Sequence, residues 1–402
     1  MILSVKNLDY WKKNLIFIWI SQFFGMVAMS AVTPFLPLFI RDLGVVESHQ
    51  ISTWSGLVFA GPFLISFFIT PLWGNLGDKY GRKIITLRAI VGLAVAQILV
   101  GLSQDVYQLF LSRVLQGALS GFVPAALALV ASNTPKEKTA YALGVLQTAT
   151  ASGTIFGPLI GGFLADSFGF RAVFFIVSGT LFLTAVFFSI YVTEYNVVDK
   201  NAKRDSSIDN WKYVFSNKSM LYISIMIFFA ALGMSIPRPI FALYFETFNI
   251  NVLYFATITG CVYATIGVTN SISPPWWGKK TLLIGYKKVI IYSALISGIM
   301  YISHFFVYNM WLLFIIRAFL GFGLGGLAPI LFAAMSENVP QSKKGGVLSI
   351  ASSFQILGNS IGLMGGGFIA GLTDFRFPFL LAGICYLSII GFASKVLKSK
   401  KE

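Results

Sequence analysis

Long apolar runs alternate with short polar ones along the whole chain. A helix needs about 20 residues to cross the hydrocarbon core of a bilayer. On that measure the runs predict twelve spans, at 14–40, 52–73, 84–103, 105–132, 139–165, 170–193, 219–246, 252–273, 287–308, 310–336, 343–372 and 375–397. The first resembles a secretory leader in its opening lysines, but its apolar run continues to Ile40, well beyond a cleavable core. It is kept as span 1. The single long polar stretch, 194–218, carries five basic and four acidic residues and sits near mid-chain. The expected organisation is a six-helix bundle over 1–193, a cytoplasmic linker over 194–218 and a second six-helix bundle over 219–402.

The halves repeat one another. Leu109, Phe110 and Arg113 recur as Leu313, Phe314 and Arg317, and Gly117 and Gly121 as Gly321 and Gly325, all at an offset of 204. Pro71, Trp73 and Gly74 recur as Pro275, Trp277 and Gly278. With one inserted residue, Pro135, Gly157, Gly161 and Arg171 meet Pro340, Gly362, Gly366 and Arg376. An all-α membrane protein of two pseudo-symmetric six-helix bundles follows, with the parallel duplication known from one large class of transporters.

Composition agrees. Hydrophobic residues make up 56% of the chain and charged residues 11%, against about a quarter charged in soluble domains. The net charge of +15 is topological. With both termini placed in the cytoplasm, 24 Lys and Arg fall inside, three outside (Arg41, Arg171, Arg376) and three within spans (Arg113, Arg238, Arg317). That bias orients the chain and argues against nucleic acid as a partner. Cys261 and Cys385 both lie in spans and suggest neither a disulfide nor a metal site.

Between spans 2 and 3 stands Gly74-Asn-Leu-Gly-Asp-Lys-Tyr-Gly-Arg-Lys83. Glycines there permit a sharp turn and close approach of helix ends, and Asp78 can cap a nearby helix N-terminus. The order of Gly74, Leu76, Asp78, Gly81, Arg82 and Lys83 resembles the signature loop of the major facilitator superfamily of secondary transporters. Gly77 and Lys79 depart mildly from its usual alanine and arginine. The second half keeps less: Leu282 stands opposite Asp78 and Tyr286 opposite Arg82.

Span 5 carries Gly153, Gly157, Pro158, Gly161 and Gly162. Small residues four apart allow close helix packing, and an internal proline favours a kink. The run resembles the motif of the antiporter branches of that superfamily, chiefly drug efflux pumps.

Intramembrane charge is costly and reads as functional by default. Arg113 and Gln116 share a face of span 4 and resemble the superfamily's helix 4 motif, tied to proton coupling or to span 1; a structural arginine is the alternative. Arg317, its duplicate, has fewer polar neighbours. Arg238, between Pro237 and Pro239, either meets substrate, pairs with Glu246 as a gate, or snorkels to the surface. On span 1, Gln22 and Met26 form a polar, adaptable face. Many drug/proton antiporters place an acid in helix 1, and this chain has none there. His49 and His304 are expected to be solvated.

No zinc-binding His-Glu-x-x-His, nucleophile elbow or phosphate loop is present, so an enzyme is not expected. The resemblance implies a monomeric, multi-pass inner-membrane exporter of a small amphipathic compound, driven without cofactors by the proton gradient. Asp78 and Arg82 would latch the cytoplasmic side. The alternatives are a dedicated exporter of an anionic or chelating metabolite such as a siderophore, a proton-coupled importer, and a non-transporting membrane sensor.

Overall fold

The computed structural model describes residues 9–194, 207–248, 254–337, 339–340 and 343–396. Regular structure among them is helical throughout, and twelve helical segments are long and apolar enough to span a membrane. They are spans 1 to 12: Tyr10–Ala31, Ser48–Thr70, Arg82–Leu102, Val106–Asn133, Tyr141–Phe168, Phe170–Tyr191, Lys218–Glu246, Phe255–Ile272, Pro274–Phe306, Met310–Glu337, Lys344–Leu372 and Phe377–Lys395. The number matches the hydropathy pattern, and the chain is a multi-pass membrane protein.

Four departures from the sequence reading are informative. The first apolar run is two helices, Tyr10–Ala31 and Leu36–Asp42, parted around Pro34. Pro37 then sits in the first turn of the second, where its missing N–H costs nothing. The polar decapeptide is no loop: the helix begun at Ser48 runs on to Tyr80, and Gly81 alone turns the corner at φ +100°. Span 4, expected to be continuous, breaks between Leu119 and Phe122, where Gly121 is left-handed at φ +103°. The expected linker contains a helix, Ser207–Ser216, whose Trp211 and Phe215 rings stack at 5.6 Å. The linker residues 195–206 lie outside the described residues. Span 7 breaks where its prolines suggest, with a 3₁₀ turn at Arg238–Ile240.

The chain forms two compact units, one of residues 1–44, 61–202 and 253–261, the other of 45–60, 203–252 and 262–402. In the first, span 1 packs along span 5 and span 3 along span 6. Phe35, Phe39 and Phe174 form its fully buried aromatic centre, with Phe39 and Phe174 at 4.9 Å. In the second, span 7 packs along span 11 and span 9 against spans 10 and 12. Its aromatic centre is Tyr244 and Phe379, at 4.4 Å.

The duplication seen in sequence extends to individual hydrogen bonds. Trp73 Nε1 donates to the Ala118 carbonyl at 2.9 Å, and Trp277 Nε1 to that of Phe322 at 2.8 Å. Lys83 Nζ reaches the Ser189 carbonyl and Lys287 Nζ that of Ser394, at 2.8 and 3.1 Å. Arg171 donates to Gly101 O and Arg376 to Phe305 O, at 2.9 and 3.2 Å. The paired residues are related by an offset of 204 or, after the inserted residue, 205.

Candidate functional site

The corner after span 2 is built around one glycine and one distant acid. At Gly81 a positive φ excludes other residues at low cost, and an added Cβ would lie 2.8 Å from Glu194 Oε2. Glu194 accepts from the Arg82 and Lys83 backbone N–H groups at 2.8 and 3.0 Å. Those are orphan donors of span 3, at the end of a helix that favours negative charge. Glu194 thus caps the start of span 3. The side chain of Asp78 lies outside the described residues. Arg82 sends its guanidinium to the Ala128 carbonyl at 2.7 Å.

The neighbouring Thr193 is held as firmly. Its N–H donates to Asn14 Oδ1 at 3.0 Å, while its carbonyl accepts from Asn14 and Asn133 at 2.6 and 3.1 Å. Spans 1, 3 and 4 therefore converge on the end of span 6. Asn14, Asn133 and Glu194 were not singled out in the sequence, since their shared partner is visible only once the chain is folded.

The glycines of the corner and of span 5 divide in their tasks. A Cβ on Gly74 meets no described atom within 4 Å. Gly153, Gly157 and Gly161 press against Phe23–Ala31 of span 1, where added Cβ atoms would collide with Met26, Ser30 and the Ala31 carbonyl. Ser30 Oγ donates to Gly153 O at 3.0 Å across this contact. This glycine face is thus mostly packed on span 1. Gly162 alone turns to span 8, against the Ala256 carbonyl, and Gly260 returns the contact at Pro158 O. The helix continues through Pro158.

In the middle of the first unit, Arg113 and Gln116 are buried and joined by a 2.7 Å bond from Nη1 to Oε1. Gln22 is fully buried and donates to Thr150 at 3.1 Å, and its Oε1 has no partner among the described residues. Met26 is half-buried under Gly153. Toward the start of span 1, a cavity of about 400 Å³ is lined by Trp11, Lys12, Trp19 and Tyr141, among others. It lies below the Gln22–Met26 face singled out in sequence.

Arg88, sorted in sequence with the cytoplasmic cations, holds the break in span 4. Its guanidinium stacks 3.5 Å from the Trp73 ring and donates to Leu119 O and Ser120 O at 3.0 and 3.1 Å. With the bond from Trp73 to Ala118 O, three carbonyls freed by the break are satisfied, as a nonpolar surrounding requires. Gly121 with Trp73 does not signal the break, since both recur in the second half as Gly325 and Trp277. In the second unit Tyr292 stands opposite Arg88, and span 10 is unbroken.

In that unit Arg317 is tied down, donating to Val262 O and Tyr263 O at 2.7 and 3.4 Å and lying 4.0 Å from the Phe241 ring. Arg238 is half-buried in its 3₁₀ turn, with Tyr301 and Tyr386 in electrostatic reach. No ion pair joins it to Glu246 among the described residues. His304 corrects the expectation of solvation. It is fully buried, stacked on Phe379 at 4.9 Å, with Nδ1 2.7 Å from Met300 O. The aromatic centre of the unit extends to the end of span 9 and covers it.

The model of the Major Facilitator Superfamily matches residues 18–279 and 223–401. The multidrug resistance protein MdtG of Enterobacter lignolyticus is 37% identical over 94% of this chain and 90% of its own. That of Citrobacter koseri is 37% identical over 98% and 97%. Among solved structures, an inward-facing, occupied bacterial homologue of the human lysosomal transporter Spinster superposes with a TM-score of 0.77 at 15% identity, over 97% of this chain and 98% of that one. The nucleoside transporter NupG does so with a TM-score of 0.77 at 12% identity, over 96% and 100%.

Proposed function

This chain belongs to the major facilitator superfamily, a family of membrane transporters and not of enzymes, and from that premise we propose that it exports small amphipathic compounds in exchange for protons. The observation that carries this reading is the end-to-end similarity to relatives named for multidrug resistance. The glycine–proline run of span 5 supports it, as does the aromatic cavity beside span 1. Flat rings with one lysine suit amphipathic molecules better than strongly hydrated ones. Transport proceeds by alternating access in the inner membrane of a monomer with both termini in the cytoplasm. The proton gradient replaces any cofactor, and Asp78 with Arg82 secures the cytoplasmic side.

One observation favours a second reading of the substrate. Arg238 is a half-buried intramembrane guanidinium that donates no hydrogen bond to a described residue. A cargo bearing a carboxylate or phosphate would complete it.

The test uses purified protein in liposomes with an imposed proton gradient and an interior pH dye. Lipophilic cations and anionic chelators are added in turn. Proton movement opposite to a cation is expected. Movement opposite to the anions alone selects the second reading, and movement in the same direction as any compound replaces export by import.

A further inference from the structure

The helix Ser207–Ser216 sorts its side chains in pairs four residues apart. Asn210 and Val214 are buried, Trp211 and Phe215 are exposed and aromatic, and Lys212 and Ser216 are exposed and polar. Residues four apart share a face, and each pair is turned by about 100° from the one before. Around its axis the helix therefore has a protein side, an apolar side and a water side.

The protein side rests on the start of span 11. Asn210 presses on Gly346, where an added Cβ would collide with the carboxamide, and Lys343 Nζ lies 4.8 Å from the Tyr213 ring. Span 7 begins at Lys218, with Asn217 alone between the two helices. Asn217 Oδ1 accepts from the Ser219 and Met220 N–H groups at 3.0 and 3.3 Å, which fixes that corner. The short helix thus lies at the level where a span enters the bilayer.

Span 11 indicates what the apolar side meets. Leu357, Ile361, Met364 and Phe368 run along one face of it, large, apolar and each about half exposed. Gly358, Gly362 and Gly366, on another face, take the packing against the Phe228, Leu232 and Ile236 carbonyls of span 7. A continuous exposed apolar stripe on a membrane span is a lipid-facing one. Gly346 stands about five turns before Met364, at 3.6 residues per turn, so the short helix lies in line with that stripe. Trp211, 6.2 Å from Phe354, carries the apolar surface onward, and Phe215 extends it.

We propose that Ser207–Ser216 is an in-plane membrane anchor: Trp211 and Phe215 insert among the lipids of the leaflet in which span 7 begins, while Lys212 lies at the level of the headgroup phosphates and Ser216 faces water. In the proposed orientation this is the cytoplasmic leaflet. The occupant is lipid because the surface continues a lipid-facing stripe and carries a cation on its wet edge, the arrangement of an interfacial helix. Tryptophan suits that depth, with an apolar ring and a polar N–H. A helix of this length is marginal alone in water, so burial on both the protein and the lipid side stabilises it. The anchor stands whatever the cargo and the direction of transport.

The test uses the full-length protein in liposomes of phosphatidylethanolamine and phosphatidylglycerol, with Cys261 and Cys385 replaced by alanine. Nitroxides are attached in turn at Phe215→Cys, Lys212→Cys and Ser216→Cys. Their collisions with oxygen, which concentrates in the bilayer, are compared with those of a water-soluble nickel chelate. The ratio of oxygen to nickel collisions should be severalfold higher at 215 than at 216, with 212 between them. Equal, nickel-rich values at 215 and 216 would place the helix in solution, and a 215 label shielded from both agents would mean that protein covers the face. Either result overturns the anchor. Because a label at 215 removes part of the apolar side, Trp211 is read separately in the unlabelled protein. Lipids brominated near the headgroup end of the acyl chain should quench a component of the tryptophan emission that Trp211→Phe lacks. An identical quenched component in wild type and variant also overturns the proposal.

Discussion

Glu194 and Gly81 show how a single pair of residues makes a helical corner. The glycine accepts a backbone angle that a side chain resists, and the acid supplies what the next helix lacks. Gly81→Ala should cost about 1–2 kcal/mol from left-handed strain alone, and more because its methyl would press on the carboxylate. Glu194→Ala should cost about 0.5–2 kcal/mol, the range for a lost helix cap. Thermal unfolding of the detergent-solubilised variants measures both. The double variant should be more stable than the sum of the two losses predicts, since removing Glu194 makes room for the alanine. The corner's glycine and its flanking cations were legible in the sequence because they are contiguous. The acid that caps it was not, because it lies 112 residues away in the chain.

At the scale of elements, hydropathy located the spans but not their interruptions. The break in span 7 was legible, since prolines flank Arg238 and remove backbone donors. The break in span 4 was not. Its duplicate, span 10, bears the same two glycines and runs unbroken. What differs is Arg88, which offers donors to the exposed carbonyls where the second unit has Tyr292. Arg88→Ala should therefore destabilise the first unit and leave Tyr292→Ala comparatively mild. Trp73→Phe and Trp277→Phe each remove one indole bond to a backbone carbonyl. Each should cost about 1 kcal/mol in stability, read by denaturation in detergent. The larger loss is expected from Trp73→Phe, because Ala118 O lies at the break in span 4 while Phe322 O lies within an unbroken helix. Likewise, the direction in which a glycine faces is not readable from spacing alone. Gly157, Gly161 and Gly162 satisfy the same small-residue pattern, yet the first two meet span 1 and the third meets span 8.

For the whole molecule, the duplication at an offset of 204 carried the architecture, and the hydrogen bonds of Trp73, Lys83 and Arg171 with their repeats bear it out. Sequence boundaries of the two halves were drawn as one cut at the linker. By contact, the compact units assign 45–60 to the second and 253–261 to the first, a grouping that no compositional change marks. The imbalance of 24 inner to three outer cations is a statement about orientation, and it predicts that tags at both ends are shielded from protease added outside intact cells. Digestion of either tag from the outside would reverse the assignment.

The distance in sequence between Gly81 and Glu194 also sets an order of events during synthesis. Span 3 leaves the ribosome long before the acid that completes its amino end. Until span 6 has been made, the bend at Gly81 waits with its donors uncapped, and Asn14 and Asn133 wait with it for Thr193. The bonds that tie spans 1, 3 and 4 to the end of span 6 are therefore the last of these contacts for which both partners have been made.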